Sequence, residues 1–237
     1  MQYRHISTIL FEYSNPYICE LLDGFLIMRI FAYICITMLI AAPALASAGE
    51  PLEDLRRGID KGIRVLEDPR YEDAALKEEQ QEKLWEVTRQ IFDFREFSRR
   101  VLAANWKKFS PQQRNRFSKA FAEFLGKFYL GRLQTRYNGE RVFYVGQKLT
   151  SKTRALVDIS VLYKNVKVPV KLRMKKKLGT WKVYDLSVLG INAVSNYRAQ
   201  FQSLLQKNTP DEVIASLKDK INGLGEDSLS DENPLRS

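Results

Sequence analysis

The chain of 237 residues is basic, with 38 Lys and Arg against 28 Asp and Glu and a formal net charge of +10. Its single histidine and its two cysteines, His5, Cys19 and Cys35, all lie near the amino terminus. The remaining sequence therefore excludes His-dependent triads, thiol nucleophiles, disulfides and His/Cys zinc sites. It also lacks a G-x-S-x-G motif, a P-loop and a complete G-x-G-x-x-G motif. An enzyme that uses Asp, Glu, Tyr or Lys as acid or base remains possible.

Residues 30–42 form an apolar run without charge, followed by a proline and by small residues at alternating positions. This order is typical of a secretory signal peptide. We expect the true start at Met28, cleavage near residues 46–48 and an exported product. A long amino-terminal region beginning at Met1 and an uncleaved anchor are the alternatives, although the run is shorter than the ~20 residues that span a bilayer.

Four helical segments are predicted before the strands. Apolar residues at a spacing of three to four predict helices over 52–67, 73–90 and 91–102. Ser110-Pro111-Gln112-Gln113 predicts the start of the fourth helix, because serine caps, proline suits the first helical position and glutamine lies three residues after the cap. Asn138-Gly139 then predicts a break before the strands.

Four strands are predicted, at about 141–149, 154–163, 166–174 and 181–189. The third alternates apolar and basic residues, which predicts one buried face and one basic outer face. Pro169 predicts that this strand lies at an edge, because proline cannot donate to a ladder.

Two helices follow the strands. Asn192 is expected to cap a helix that runs to about Gln206, and residues 209–212 form a capping box before the last helix. The composition from residue 222 onward predicts a disordered tail. The whole order predicts an α+β fold, in which several helices pack on one face of a curved four-stranded antiparallel sheet and enclose an apolar cavity.

Ten aromatic side chains lie between residues 92 and 129, and they fit either a packed core or the wall of an apolar pocket. We expect a pocket between the apolar face of the sheet and the helices. Its predicted lining residues are Phe97, Val101, Phe121, Leu125, Val157, Ile159, Val170, Leu172, Tyr184 and Val188.

The basic residues of the third strand have two interpretations. They form a solvated face that protects a sheet edge, or they steer the protein to an anionic membrane or an acidic partner protein. Export argues against nucleic acid as the partner. Because these residues alternate with the buried residues of the strand, their charged heads cannot enter the cavity, and we expect them to act in docking and not in holding a ligand. The residues concerned are Lys167, Lys171, Arg173 and Lys175.

Asp185 lies among apolar neighbours in the fourth strand. As a catalytic acid it would need a raised pKa and a partner such as Tyr184, Tyr197 or Arg198. A structural role is favoured, either pairing with Arg198 or capping the helix that begins at Asn192. The sequence predicts no catalytic residue, cofactor or metal site.

Three segments of the sequence resemble the MlaC, or toluene-tolerance, family. They are FDFREFSRRVLAANWKKFSPQQRNRF, FAEFLGKFYLGRLQTRYNGE and WKVYDLSVLGINAVSNYRAQF, and the likeness extends over about residues 55–220. Two positions depart from the family pattern. Ala103 replaces a glycine that usually follows the Val-Leu pair, and Asn192 stands where serine is more frequent.

The resemblance implies an NTF2-like cone and carriage of diacyl phospholipid through the periplasm. The partners would be an outer-membrane lipoprotein–porin complex and an inner-membrane ABC transporter complex that together maintain outer-membrane lipid asymmetry. It implies a monomer without a cofactor, with residues 1–48 as extension and signal peptide, 49–221 as the lipid-binding domain and 222–237 as the tail. An enzyme using Asp185 and a tyrosine, and an envelope adaptor protein, are the alternatives.

Overall fold

The computed structural model describes residues 49–223. The predicted extension and signal peptide lie outside the described residues. So does the predicted tail 222–237, except residues 222–223, which belong to the last helix. The helices are α1 Pro51–Leu66, α2 Lys77–Ile91, α3 Phe94–Leu102, α4 Pro111–Arg136, α5 Ala193–Lys207 and α6 Pro210–Gly223, with short 3-10 turns at Pro69–Glu72, Ala74–Leu76 and Ala103–Lys108.

The helix starts follow local hydrogen bonding. Gln113 N donates to Ser110 Oγ at 3.2 Å and Ser110 N donates to Gln113 Oε1 at 2.9 Å, which completes the predicted capping box of α4. Asn192 caps α5 by accepting from Ser195 N at 2.8 Å. These side chains satisfy amide groups that have no partner within the helix.

The prediction of an unbroken helix over 91–102 was wrong. Phe92 is extended and bridges to Val183, and Asp93 N donates to Val183 O at 2.8 Å. Asp93 then caps α3 by accepting from Glu96 N at 3.0 Å. The chain leaves the helical path because the free edge of the fourth strand offers a backbone partner, and Asp is a favoured N-cap.

The sheet has five antiparallel strands in the order β1-β2-β3-β4-β5, so the expected number of four was wrong. Their bounds are β1 Val142–Ser151, β2 Arg154–Tyr163, β3 Val166–Lys177, β4 Thr180–Val188 and β5 Ile191–Asn192. The short β5 arises because Leu189 and Gly190 adopt φ of 51° and 84°, and this tight turn lays Ile191 against Val188.

β3 is a central strand and not the predicted edge strand, since it pairs with β2 and β4. Pro169 is tolerated because it lies just beyond the register with β4, which begins at Val170. Its carbonyl accepts from Leu189 N at 3.2 Å. In an antiparallel strand the N–H and C=O of one residue point to the same neighbour, so proline removes no ladder bond to β2.

The buried side chains form two clusters. The sheet cluster joins Leu55 of α1 to Val157, Leu172, Met174 and Val183. The helical cluster is built from α3, α4, α5 and α6 and is dominated by aromatic rings, for example Phe121 and Phe201 with centroids 5.1 Å apart and edge to face. Most of the ten aromatic side chains between residues 92 and 129 are therefore part of a packed core.

Helices contact both faces of the sheet, whereas the sequence predicted one. α1 packs on the face that carries Leu172 and Met174. Lys175 alternates with these residues and points to the opposite face, where its ammonium lies 3.3 Å from Glu96 of α3. The sheet is thus covered by α1 on one side and approached by α3 on the other.

Candidate functional site

α1 is held on the sheet by side-chain hydrogen bonds along its length. Leu52 N donates to Gln147 Oε1 at 2.7 Å, and Tyr144 Oη donates to Asp60 Oδ1 at 2.7 Å. Burial and the bond to Asp60 raise the pKa of Tyr144, so the phenol stays a donor. These bonds fix the helix that forms one wall of the site.

An open apolar groove of about 400 Å³ lies between α1, α2, the end of α4 and the neighbouring strands. Its apolar lining consists of Ile59, Ile63 and Leu66 of α1, Leu84, Val87 and Ile91 of α2, Leu130 and Leu133 of α4, and Val142, Val161 and Tyr163 of the sheet. Thr88 also lines it, but its hydroxyl is satisfied by Leu84 O at 2.8 Å. This wall offers contact to hydrocarbon and little hydrogen bonding.

Two glycines of α1, one turn apart, shape the groove. A Cβ at Gly58 would lie 2.5 Å from Cγ1 of Ile91, so α1 approaches α2 this closely only because residue 58 has no side chain. A Cβ at Gly62 would meet only Val87, at 3.8 Å, which is an ordinary contact. The missing side chain at Gly62 therefore leaves space in the groove instead of allowing close packing.

One end of the groove is polar. Arg136, Tyr137 and Glu140 line it there. Tyr137 Oη donates to Glu67 Oε1 at 2.7 Å, and burial together with this bond raises the pKa of Tyr137. The groove is thus amphipathic along its length, with aliphatic walls and one hydrogen-bonding end.

The ten predicted lining residues fall into separate places and do not line this groove. Phe97, Val101 and Phe121 are buried in the helical cluster, with Leu125 packed against it. Val157, Ile159 and Leu172 are in the sheet cluster, with Val170 packed against it. The guanidinium of Arg100 lies 4.1 Å from the ring centroid of Tyr184, and Val188 is 37% exposed. As lipid contacts these residues stay a prediction.

The groove was missed because the apolar stripe of α1 indicates only that this face is covered. The signal that sequence reasoning passed over is the pair Gly58 and Gly62, spaced by four within an amphipathic helix. Glycine in a helix interior lowers stability by about 0.5–1 kcal/mol relative to alanine. Two glycines on one face of a helix therefore indicate either close packing against a neighbouring element or an opening beside the helix.

A second depression of about 930 Å³ lies between α2 and α4. It contains Trp85 and Phe94, but charged residues such as Glu78, Glu82 and Lys119 also line it. Charged walls suit hydrocarbon less well than the aliphatic groove does.

The basic face of β3 divides into paired and exposed residues. Lys175 Nζ lies 3.3 Å from both Asp93 Oδ2 and Glu96 Oε2. Burial alone would raise the pKa of Glu96, but hydrogen bonds from Arg99 and Arg100 and the charge of Lys175 lower it to about 2. Lys175 thus holds α3 to the sheet.

The other three basic residues of this face are exposed. Arg173 Nε lies 3.9 Å from Asp185 Oδ2, at the limit of an ion pair. Lys167 Nζ lies 4.8 Å from the ring centroid of Phe143, and Lys171 stands in register with Asp158 of β2. The charges available to an approaching surface are chiefly those of Lys167 and Lys171.

Asp185 is buried and serves the start of α5. Its two carboxylate oxygens accept from Asn192 Nδ2 at 2.9 Å each, and Val194 N lies 3.4 Å from Oδ1. Arg198 instead donates to the carbonyl of Arg100, at 2.9 and 3.1 Å. Asp185 lines neither depression described above. The geometry accordingly gives this carboxylate a capping role at the start of α5.

Residues 49–223 show neither a cluster of metal ligands nor a membrane-spanning helix. Within that range no group of three or more His, Cys, Asp or Glu side chains is arranged to hold a metal ion. No helix in the same range combines the length and the apolar character needed to cross a bilayer.

Comparison with known proteins gives consistent matches. The family model described as MlaC protein matches residues 56–219. Toluene tolerance protein Ttg2D of Pseudomonas putida is 33% identical over 106 residues, which are 44% of this chain and 49% of that protein. The intermembrane phospholipid transport system binding protein MlaC of Haemophilus influenzae is 25% identical over 124 residues, 50% of this chain and 58% of that protein. The chain thus spans about half the length of these two relatives.

A solved structure has a similar fold. It is the phospholipid-binding protein from Ralstonia solanacearum in complex with a phospholipid, with a TM-score of 0.64 and 19% sequence identity. The match covers 75% of this chain and 100% of that chain. At this identity the likeness shows a shared arrangement of helices and sheet.

Proposed function

Because this chain belongs to the MlaC family, we propose that it is a periplasmic phospholipid carrier. It would move lipid between outer-membrane and inner-membrane complexes and so maintain outer-membrane lipid asymmetry. The observation that carries the proposal is the aliphatic groove between α1 and α2. Its volume of about 400 Å³ lies within the range of roughly 300–1,000 Å³ that small-molecule pockets occupy.

The chemistry of the groove suits an acyl chain. Its walls are mainly Ile, Leu and Val, and the hydroxyl of Thr88 among them is already used within α2. Each buried CH₂ is worth ~0.8 kcal/mol, so transfer of two acyl chains into water costs on the order of 20 kcal/mol. Unaided escape over such a barrier takes roughly minutes to days. A carrier that keeps the chains against apolar side chains removes most of this barrier.

The direct test is to purify the chain from an envelope extract, denature it and extract it with organic solvent. Mass spectrometry of the extract should show phospholipid in near-stoichiometric amount. A protein that is folded, contains no lipid and takes none up from phospholipid vesicles would contradict the proposal. A lysozyme sample extracted in parallel controls for adhering membrane.

Delivery of the lipid to a membrane complex needs a docking surface. We propose the exposed basic residues of β3, chiefly Lys167 and Lys171, for this role. Their side chains alternate with Val168, Val170 and Leu172 and so point away from the sheet cluster. Charge on an outer face changes the rate of encounter with an acidic partner more than it changes ligand affinity. Lys175 is unsuitable for the test because its loss would leave Asp93 and Glu96 with fewer partners.

The clean variant is therefore the double change Lys167→Glu and Lys171→Glu, compared with Lys152→Glu in the exposed β1–β2 turn. The double variant should retain its lipid but transfer it more slowly to membranes that bear the acceptor complex. The wild-type transfer rate should fall as salt is added. Loss of bound lipid from the folded double variant, or transfer that is indifferent to salt, would count against this surface.

A further inference from the structure

A polar depression of about 490 Å³ adjoins the polar end of the groove. It lies between the loop that follows α4 and the turn that joins β2 to β3. Arg136, Glu140 and Tyr163 line both the depression and the groove, so the two spaces meet. An occupant of the groove could therefore extend into the depression without crossing a wall.

The depression is rich in positive charge. Arg136, Arg141 and Lys164 line it, against one carboxylate, Glu140. Oε2 of Glu140 accepts from Asn138 N at 2.9 Å, so this carboxylate is engaged with the loop backbone. Arg141 and Lys164 are exposed. A ligand entering here meets an excess of cations.

Backbone geometry fixes the two walls that carry these cations. Leu162 N donates to Arg141 O at 2.9 Å and ties the loop to β2. The β2–β3 turn has φ of 46° at Lys164 and 63° at Asn165, the positive values of a tight hairpin turn. The Lys164 ammonium lies 5.4 Å from the ring centroid of Tyr163. The backbone therefore holds both segments that carry the cations at the edge of the depression.

Resting on the proposed function, we propose that this depression binds the phosphate of a phospholipid headgroup while the acyl chains lie in the groove. Guanidinium and ammonium groups donate charge-assisted hydrogen bonds to phosphate oxygens, and Arg can do so with two bonds at once. An aliphatic groove that opens into a cationic depression matches the order of groups in a phospholipid. The same chemistry fits a free phosphate ester, so the test separates the two sources.

The experiment compares phosphatidylglycerol with diacylglycerol of the same acyl chains, which lacks the phosphate. Uptake of each is measured by equilibrium titration of the purified, delipidated chain. Hydrogen bonds to charged groups are worth enough to expect that the wild type favours phosphatidylglycerol by roughly tenfold or more. The double variant Arg141→Gln with Lys164→Gln should lose this preference while binding diacylglycerol as before. Lys148→Gln with Lys152→Gln, exposed at the opposite end of β1, is the matched control and should keep it.

The outcomes distinguish this inference from the proposed function. If the wild type binds neither lipid, the carrier proposal fails. If it binds both equally, or if the folded double variant keeps the preference, only the phosphate site fails. Glycerol phosphate that displaces phosphatidylglycerol at equal concentration would indicate a site for soluble phosphate esters and overturn the proposal. If the double variant unfolds, the salt dependence of the wild type is the test. A contact with the phosphate requires the wild-type preference for phosphatidylglycerol over diacylglycerol to fall with added salt, and a preference that does not change would overturn the site.

Discussion

Filling the groove at Gly62 should expel lipid without disturbing the fold. A Cβ at this position would meet only Val87, at an ordinary 3.8 Å, so larger side chains have the groove as their nearest free space. Gly62→Leu is therefore expected to place its branched end where acyl carbons would lie. Gly62→Ala adds only the Cβ and serves as the matched control.

The size of the effect follows from the methylenes displaced. A leucine side chain would replace about three to four CH₂ groups of the lipid, and at ~0.8 kcal/mol each the loss is about 3 kcal/mol. Since 1.4 kcal/mol corresponds to a tenfold change, the affinity should fall by roughly a hundredfold. Gly62→Ala should bind lipid as the wild type does and raise the free energy of unfolding by about 0.5–1 kcal/mol, because alanine stabilises a helix interior.

The assay is an equilibrium titration with a fluorescent phospholipid, accompanied by urea unfolding of each variant. If Gly62→Leu unfolded cooperatively like the wild type and still bound lipid with unchanged affinity, residue 62 would not face the bound acyl chains. Loss of binding in Gly62→Ala as well would show that the position affects the fold and not the groove volume.

Three further predictions concern stability. Ala103 adopts φ of 48°, a region that favours glycine, so Ala103→Gly should raise the free energy of urea unfolding by about 1 kcal/mol, and a loss of stability would contradict the strain. Phe121 is fully buried and contacts the rings of Phe97, Phe117, Tyr197 and Phe201, so Phe121→Ala should cost about 3–5 kcal/mol in the same assay, and a cost below about 1 kcal/mol would show a loosely packed core. The pKa of Glu96 is lowered from 4.5 to about 2 in the folded chain, so its contribution to stability is present above pH 4.5 and is lost as the pH falls toward 2. The melting temperature should drop across this window and drop less in Glu96→Gln; equal slopes in the two proteins would argue against the ion cluster.

Local signals in the sequence were sufficient for most of the elements. The capping box at Ser110 and the cap at Asn192 start their helices as predicted, and the alternation of β3 gives its two faces. These features depend on neighbours within a few residues. The break at Phe92 depends on a distant partner, Val183, and periodicity alone contains no information on that pairing.

The candidate site was harder to predict, for a physical reason. Periodicity identifies which face of a helix is buried but not which other face it meets, so Phe121 and Leu172 were placed around one space although they belong to different clusters. The groove also depends on side chains that are missing. Gly58 and Gly62 shape it because they have no side chain. Only the packing of α1 against α2 shows that Gly58 permits close contact of the helices while Gly62 leaves an opening.

Occupancy of the groove between α1 and α2 by acyl chains is the proposal on which the carrier function depends. It is tested most directly by loading the wild-type chain with a phospholipid that has a diazirine in an acyl chain, irradiating it and mapping the adducts by peptide mass spectrometry. If the chains lie in the groove, adducts should form in residues 58–66 of α1, in 84–91 of α2 and in 130–137 at the end of α4, which line the groove. Adducts concentrated around Phe97, Phe121 and Phe201, with none in α1, would place the chains within the helical cluster and contradict occupancy of the groove.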